Sequence, residues 1–68
     1  MKHEDPNGQF VLLAEQADHG HTNGKPFAVL LAAFKHRQQA LQALANRHRA
    51  GEQVLGRSAA LRKYNLIA

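Results

Sequence analysis

Two basic triplets, Lys35-His36-Arg37 and Arg47-His48-Arg49, are the residues whose types and spacing best suit a chemical role. Lysine and arginine attract phosphates, and each contact with nucleic acid releases counterions. On one continuous helix the triplets would lie about 18 Å and about 120° apart. This layout favours an extended anionic surface over a small ligand, and we predict nucleic-acid binding.

Positive charge is concentrated in residues 25–68. There, eight lysine and arginine residues face a single carboxylate, Glu52, for a net charge of +7, whereas residues 1–24 carry Lys2 against four carboxylates, a net of −3. A solvated helix face, partly neutralised by the acidic segment, would give the same pattern. The residues predicted to bind nucleic acid or a partner are Lys35, Arg37, Arg47, Arg49, Arg57, Arg62 and Lys63.

The five histidines raise the question of a metal site. His19 and His21 flank Gly20 beside Asp18, but zinc usually needs three or four protein ligands. His3 and the terminal amine form an arrangement that Cu(II) or Ni(II) favours, whatever the biological role. We predict no metal and no cofactor, and the role of His3, His19 and His21 stays open.

Catalytic chemistry has few candidates in this chain. Cysteine is absent, and Ser58 and Thr22 are the only serine and the only threonine. A chain of 68 residues can scarcely enclose a pocket of several hundred cubic ångströms. We therefore expect no enzyme and no small-molecule substrate.

The elements that position the basic residues are predicted to be helical. Phe10, Leu13, Ala14 and Ala17 recur with the spacing of one helical stripe, after a helix start at Asp5-Pro6. The predicted elements are a short helix over residues 6–18, a loop over 19–25, a long helix over 26–50 and a last helix over 52–65.

A strand pair remains an alternative for residues 9–31. Residues 9–13 could pair with residues 27–31 across a turn at Asn23-Gly24. The Gln, Glu and Ala content favours helix, so we predict an all-α protein, a helical hairpin or three-helix bundle in one domain.

So short a chain has a marginal hydrophobic core. We therefore predict that oligomerisation, for example as a homodimer, completes this core. The predicted interface residues are Phe27, Leu30, Leu31, Phe34 and Leu41. A membrane is not expected as a partner, and the expected compartment is the cytoplasm. The predicted function is that of a small regulator that binds nucleic acid. The alternative is an inhibitor or adaptor that contacts an acidic or apolar surface of a partner protein.

Overall fold

The computed structural model describes the backbone of residues 4–22 and 24–67, and the side chains of residues 4–16 and 24–67. Strands and helices follow one another in the order β1 (Phe10–Thr22), β2 (Lys25–Phe34), α1 (Arg37–Arg47), β3 (Glu52–Gly56), α2 (Arg57–Lys63) and β4 (Asn65–Ile67). The strands form one sheet in the order β3-β1-β2-β4, in which β1 is antiparallel to β2 and β3, and β2 is parallel to β4.

The prediction of an all-α bundle is therefore wrong. Residues 10–22, predicted as helix and loop, form β1. The predicted helix over residues 26–50 is divided into β2 and α1, and the predicted helix over residues 52–65 is divided into β3, α2 and β4. The strand-pair alternative describes the chain better, since β1 and β2 form a hairpin with Gly24 in its turn at φ +75°.

The error has a physical cause. Both faces of this sheet are covered by a helix, so its central strands are apolar on both faces and lose the alternation of a half-buried strand. Val11, Leu12 and Leu13, which are adjacent in β1, are all buried. A continuous apolar run of this kind resembles a buried helix as much as a buried strand, and the periodicity could not separate the two.

Two apolar clusters lie on opposite faces of the sheet. Val11 and Leu13 point to the face that holds Ala60 of α2. Leu12 points to the other face, where it meets Ala40 and Ala43 of α1. Alanine at each helix contact lets the helices lie close to the strands, and the protein is a three-layer α/β/α arrangement.

The chain path explains why the helices lie on opposite faces. α1 connects β2 to β3 across β1, and α2 then leads back from β3 to β4 at the opposite edge. The two crossovers join parallel strands and run in opposite directions across the sheet. If both have the usual right hand, their helices must cover opposite faces.

The segment before β1 is tied to the rest of the protein. The backbone N–H of Asp5 donates to the carbonyl of Ala33 at 2.8 Å, and Glu4 forms a bridge with Phe34. Gly8 passes so close to the backbone of Phe34 that a Cβ atom there would clash with it. This close approach requires glycine.

The prediction of self-association placed its interface on a helix over residues 26–50, which the structure replaces with β2 and α1. The apolar residues of that segment are shared between β2 and α1, and many of them pack within the chain. Self-association stays a prediction. Within the described residues, no helix has the length and apolar character needed to cross a membrane.

Candidate nucleic-acid interface

α1 presents a polar face to solvent. Ala40 and Ala43 anchor its inner side to the sheet, where they are 0% and 2% exposed. The residues on the opposite side are spaced i, i+3, i+4, i+7 and i+8, as one helical stripe requires. This outward face consists of the exposed residues Gln38, Leu41, Gln42, Ala45 and Asn46.

Exposed cations lie at both ends of the outward face. Lys35 and Arg37 are at the amino-terminal end, and Arg49 follows the carboxyl-terminal end. We call the outward face together with Lys35, Arg37 and Arg49 the α1 surface. Because residues 19–51 contain no aspartate or glutamate, the segment that forms this surface carries no opposing charge of its own.

Arg47 is directed to the sheet and pairs with Glu52. Its Nε and Nη2 atoms donate to Oε1 and Oε2 of Glu52 at 2.6 and 2.9 Å. The hydrogen bond from Arg47 lowers the pKa of the Glu52 carboxyl, against the effect of burial, and the same bond raises the pKa of Arg47. The Glu52 side chain is only 5% exposed. The pair thus neutralises the first carboxylate that follows the α1 surface in the chain.

Arg57 has a structural role. Its Nε donates to the carbonyl of Gly8 at 2.7 Å, and its Nη2 donates to the carbonyl of Pro6 at 2.8 Å. Its backbone N–H also donates to the carbonyl of Gln9 at 2.6 Å. These bonds join the start of α2 to the segment before β1.

Arg62 and Lys63 are exposed at the end of α2, on the opposite side of the sheet from α1. The Nζ of Lys63 lies 5.5 Å from the ring centroid of Tyr64. The Tyr64 hydroxyl donates to Oε1 of Glu15 at 3.0 Å, so the exposed Glu15 carboxylate belongs to this side of the protein. The seven cations predicted as one site are therefore divided between two sides of the sheet.

The predicted interface residues are also dispersed. Phe34 is 0% exposed and belongs to the core beneath α1, against which Leu31 packs. Leu30 packs on the α2 side, and Phe27 is half-buried in β2. Leu41 is 39% exposed and lies in the middle of the α1 surface.

Gln38, Gln42 and Asn46 are not among the predicted site residues. A signal for them was present, because carboxamides at i, i+4 and i+8 between two basic triplets fall on neighbouring positions of one helix face. This spacing indicates a separate polar face only when the helix is limited to residues 37–47. In a helix over residues 26–50, Gln38 falls within the predicted apolar stripe.

The candidate metal ligand His3 and the side chains of His19 and His21 lie outside the part of the chain that the structure describes. Within the described part of the chain, no group of three or more histidine and carboxylate side chains is placed to hold a metal ion.

A groove of about 240 Å³ runs along the edge of β2. Its lining is mainly apolar and consists of Glu4, Pro6, Leu30, Leu31, Ala32 and Ala33. Small-molecule sites usually have volumes of about 300–1,000 Å³. The groove is below that range, and its lining shares no residue with the α1 surface.

No protein-family model, curated protein or solved structure matches this chain. Its function must therefore be inferred from the geometry and charge of its own residues.

Proposed function

We propose that this protein is a small, non-catalytic regulator that binds nucleic acid through the α1 surface. The observation that carries the proposal is an exposed helix with cations at both ends, formed by a segment without acidic side chains. The inner side of this helix packs against the sheet at Leu12, Phe34 and Val54. Phosphate binding by such a surface is sequence-independent and strengthens as salt is lowered.

The α1 side suits an anionic partner better than the α2 side does. On the α1 side, the Glu52 carboxylate is already paired with Arg47. On the α2 side, the exposed Glu15 carboxylate accepts a bond from Tyr64, which lies under Lys63. A carboxylate near Arg62 and Lys63 would repel phosphate, so their contribution is expected to be smaller.

A matched pair of double variants tests the proposal. Arg37→Gln/Arg49→Gln and Arg62→Gln/Lys63→Gln each remove two positive charges, the first from the α1 surface and the second from the end of α2. Binding to a fluorescent 20-base-pair duplex is measured by anisotropy between 25 and 200 mM salt. The α1 variant should lower the slope of log K against log salt by about 2. The α2 variant should change this slope little.

Two results would contradict the proposal. One is absence of binding by the unmodified protein to single-stranded or duplex nucleic acid at low salt and tens of micromolar. The other is an equal loss in both double variants, which would mean that net charge and not the α1 surface determines binding. Circular dichroism of each variant controls for folding.

A second candidate function is supported by Leu41. An apolar side chain that is 39% exposed within a polar and basic rim also has the arrangement of a small protein–protein contact. An inhibitor or adaptor would use Leu41 against an apolar patch of an acidic partner. Capture of partners from a lysate with and without nuclease separates the two functions, because a protein partner would survive the nuclease.

A further inference from the structure

The middle of the α1 surface is uncharged and rich in carboxamides. Gln38, Gln42 and Asn46 are exposed on the outward face, and the exposed Leu41 and Ala45 lie between them. Carboxamides carry no net charge, so these side chains would contribute hydrogen bonds rather than charge attraction to a contact. The carboxamides at the centre of the helix are suited to contacts with base edges. The cations at its ends are suited to contacts with the phosphates of the nucleic acid.

We infer that α1 enters the major groove of duplex DNA and reads A·T base pairs with Gln38 and Gln42. This inference rests on the proposed function and specifies its ligand. The major groove is about 12 Å wide and admits one α-helix. Glutamine or asparagine can form a bidentate pair with adenine, and small apolar side chains contact the thymine methyl group. The outward face holds both kinds of side chain.

The length of α1 agrees with this placement. From Arg37 to Arg47 the helix rises about 15 Å at about 1.5 Å per residue. A helix of this length that crosses the groove has its ends near the two phosphate borders. Arg37 begins the helix and Arg49 follows its end, so two exposed cations flank the residues proposed to face the bases.

Duplex RNA and single strands fit this surface less well. The major groove of A-form RNA is too deep and narrow for side chains to read. Proteins that bind single strands stack bases on exposed aromatic side chains. Here Phe34 and Tyr64 are buried, and Phe10 and Phe27 are half-buried in strands, so the outward face of α1 presents no aromatic ring.

The inference is tested by selecting sequences from a pool of random DNA duplexes with the full-length protein. The expected result is an enriched A·T-containing motif, bound at least tenfold more tightly than a scrambled duplex. Gln38→Ala/Gln42→Ala removes both side chains and should lower the affinity for the motif to that for the scrambled duplex, a loss of at least about tenfold. The affinity of this double variant for the scrambled duplex should stay within about twofold of that of the unmodified protein, since the phosphate contacts remain.

The matched control is Gln9→Ala, because Gln9 is an exposed glutamine outside α1. This variant should keep the preference for the motif. Binding of duplex DNA without any enriched motif would overturn the inference and leave the proposed function intact, as would tighter binding to RNA or to single strands. Absence of all nucleic-acid binding would overturn both.

Discussion

Arg47 and Glu52 form a bidentate pair that joins the end of α1 to the start of β3, with the arginine Nε 2.6 Å from the glutamate Oε1. The pair removes Arg47 from the set of cations that face solvent. It also makes Arg47→Glu a poor test of binding, because that change would place two carboxylates against each other and damage the fold. Arg49 is the better position at this end of α1.

The pair predicts a specific dependence of stability on pH. Because Arg47 lowers the pKa of Glu52 in the folded protein, the pair stabilises the fold above the ordinary glutamate pKa of about 4.3. That stabilisation is lost as the pH falls through the lowered pKa. Glu52→Gln should therefore reduce the melting temperature at pH 7, and the difference from the unmodified protein should shrink toward pH 2.

Thermal melts by circular dichroism from pH 2 to pH 7 measure this effect. In the Arg47→Gln background, Glu52→Gln should have little further effect at pH 7. A melting-temperature difference that is the same at pH 2 and pH 7 would show that the pair does not stabilise the protein.

Arg57 should strengthen the attachment of the segment before β1. Its two side-chain bonds to the carbonyls of Gly8 and Pro6 are charge-assisted, and their loss in Arg57→Ala should cost about 2 kcal/mol of unfolding free energy. Urea denaturation measures the loss. Arg62→Ala, an exposed site on the same helix, is the control and should change stability by less than about 0.5 kcal/mol. Similar values for both variants would refute the structural role.

Tyr64 connects three parts of the chain through one hydroxyl. It accepts a bond from Nε2 of Gln53 at 2.7 Å and donates to Glu15 at 3.0 Å, while its ring is 2% exposed. Tyr64→Phe keeps the ring and removes both bonds, so it should cost about 1–2 kcal/mol in denaturant unfolding. Tyr64→Ala also leaves a cavity and should cost about 3–5 kcal/mol. A Phe variant as stable as the unmodified protein would mean that the hydroxyl network contributes nothing.

His48 ends α1 in the left-handed conformation, at φ 52° and ψ 38°. A side chain with a Cβ atom pays a steric penalty there that glycine avoids, so His48→Gly should stabilise the protein by up to about 1 kcal/mol. His48→Val should destabilise it, since β-branched residues disfavour this conformation. Denaturant melts of the two variants should therefore move in opposite directions. Loss of stability in His48→Gly would imply that the imidazole makes a stabilising contact.

Sequence patterns predicted local features of this protein better than its architecture. The predicted boundary between the helices over residues 26–50 and 52–65 falls at Gly51, where the backbone has φ +83°. The stretch from residue 37 to residue 47 is helical, as its pattern indicates. The class of fold was missed because Val11, Leu12 and Leu13 are all buried in a sheet covered on both faces, and such a run carries no strand periodicity.

The candidate site could be predicted only as a set of residue types. Charge pointed to Arg37 and Arg49, but it also pointed to Arg47 and Arg57, which the fold uses for internal bonds. The bonds of Arg57 reach partners that are distant in the sequence, such as Gly8, 49 positions away. Patterns within a helix or strand contain no information about such contacts.

Binding of nucleic acid to the α1 surface can be followed through the backbone amide signals in a heteronuclear NMR titration with a 20-base-pair duplex. We expect the largest shifts at Gln38, Gln42, Asn46 and Arg49, and little change at the amides of Arg62 and Lys63 on the other side of the sheet. Shifts concentrated at the end of α2, or spread evenly over both sides, would contradict binding at the α1 surface.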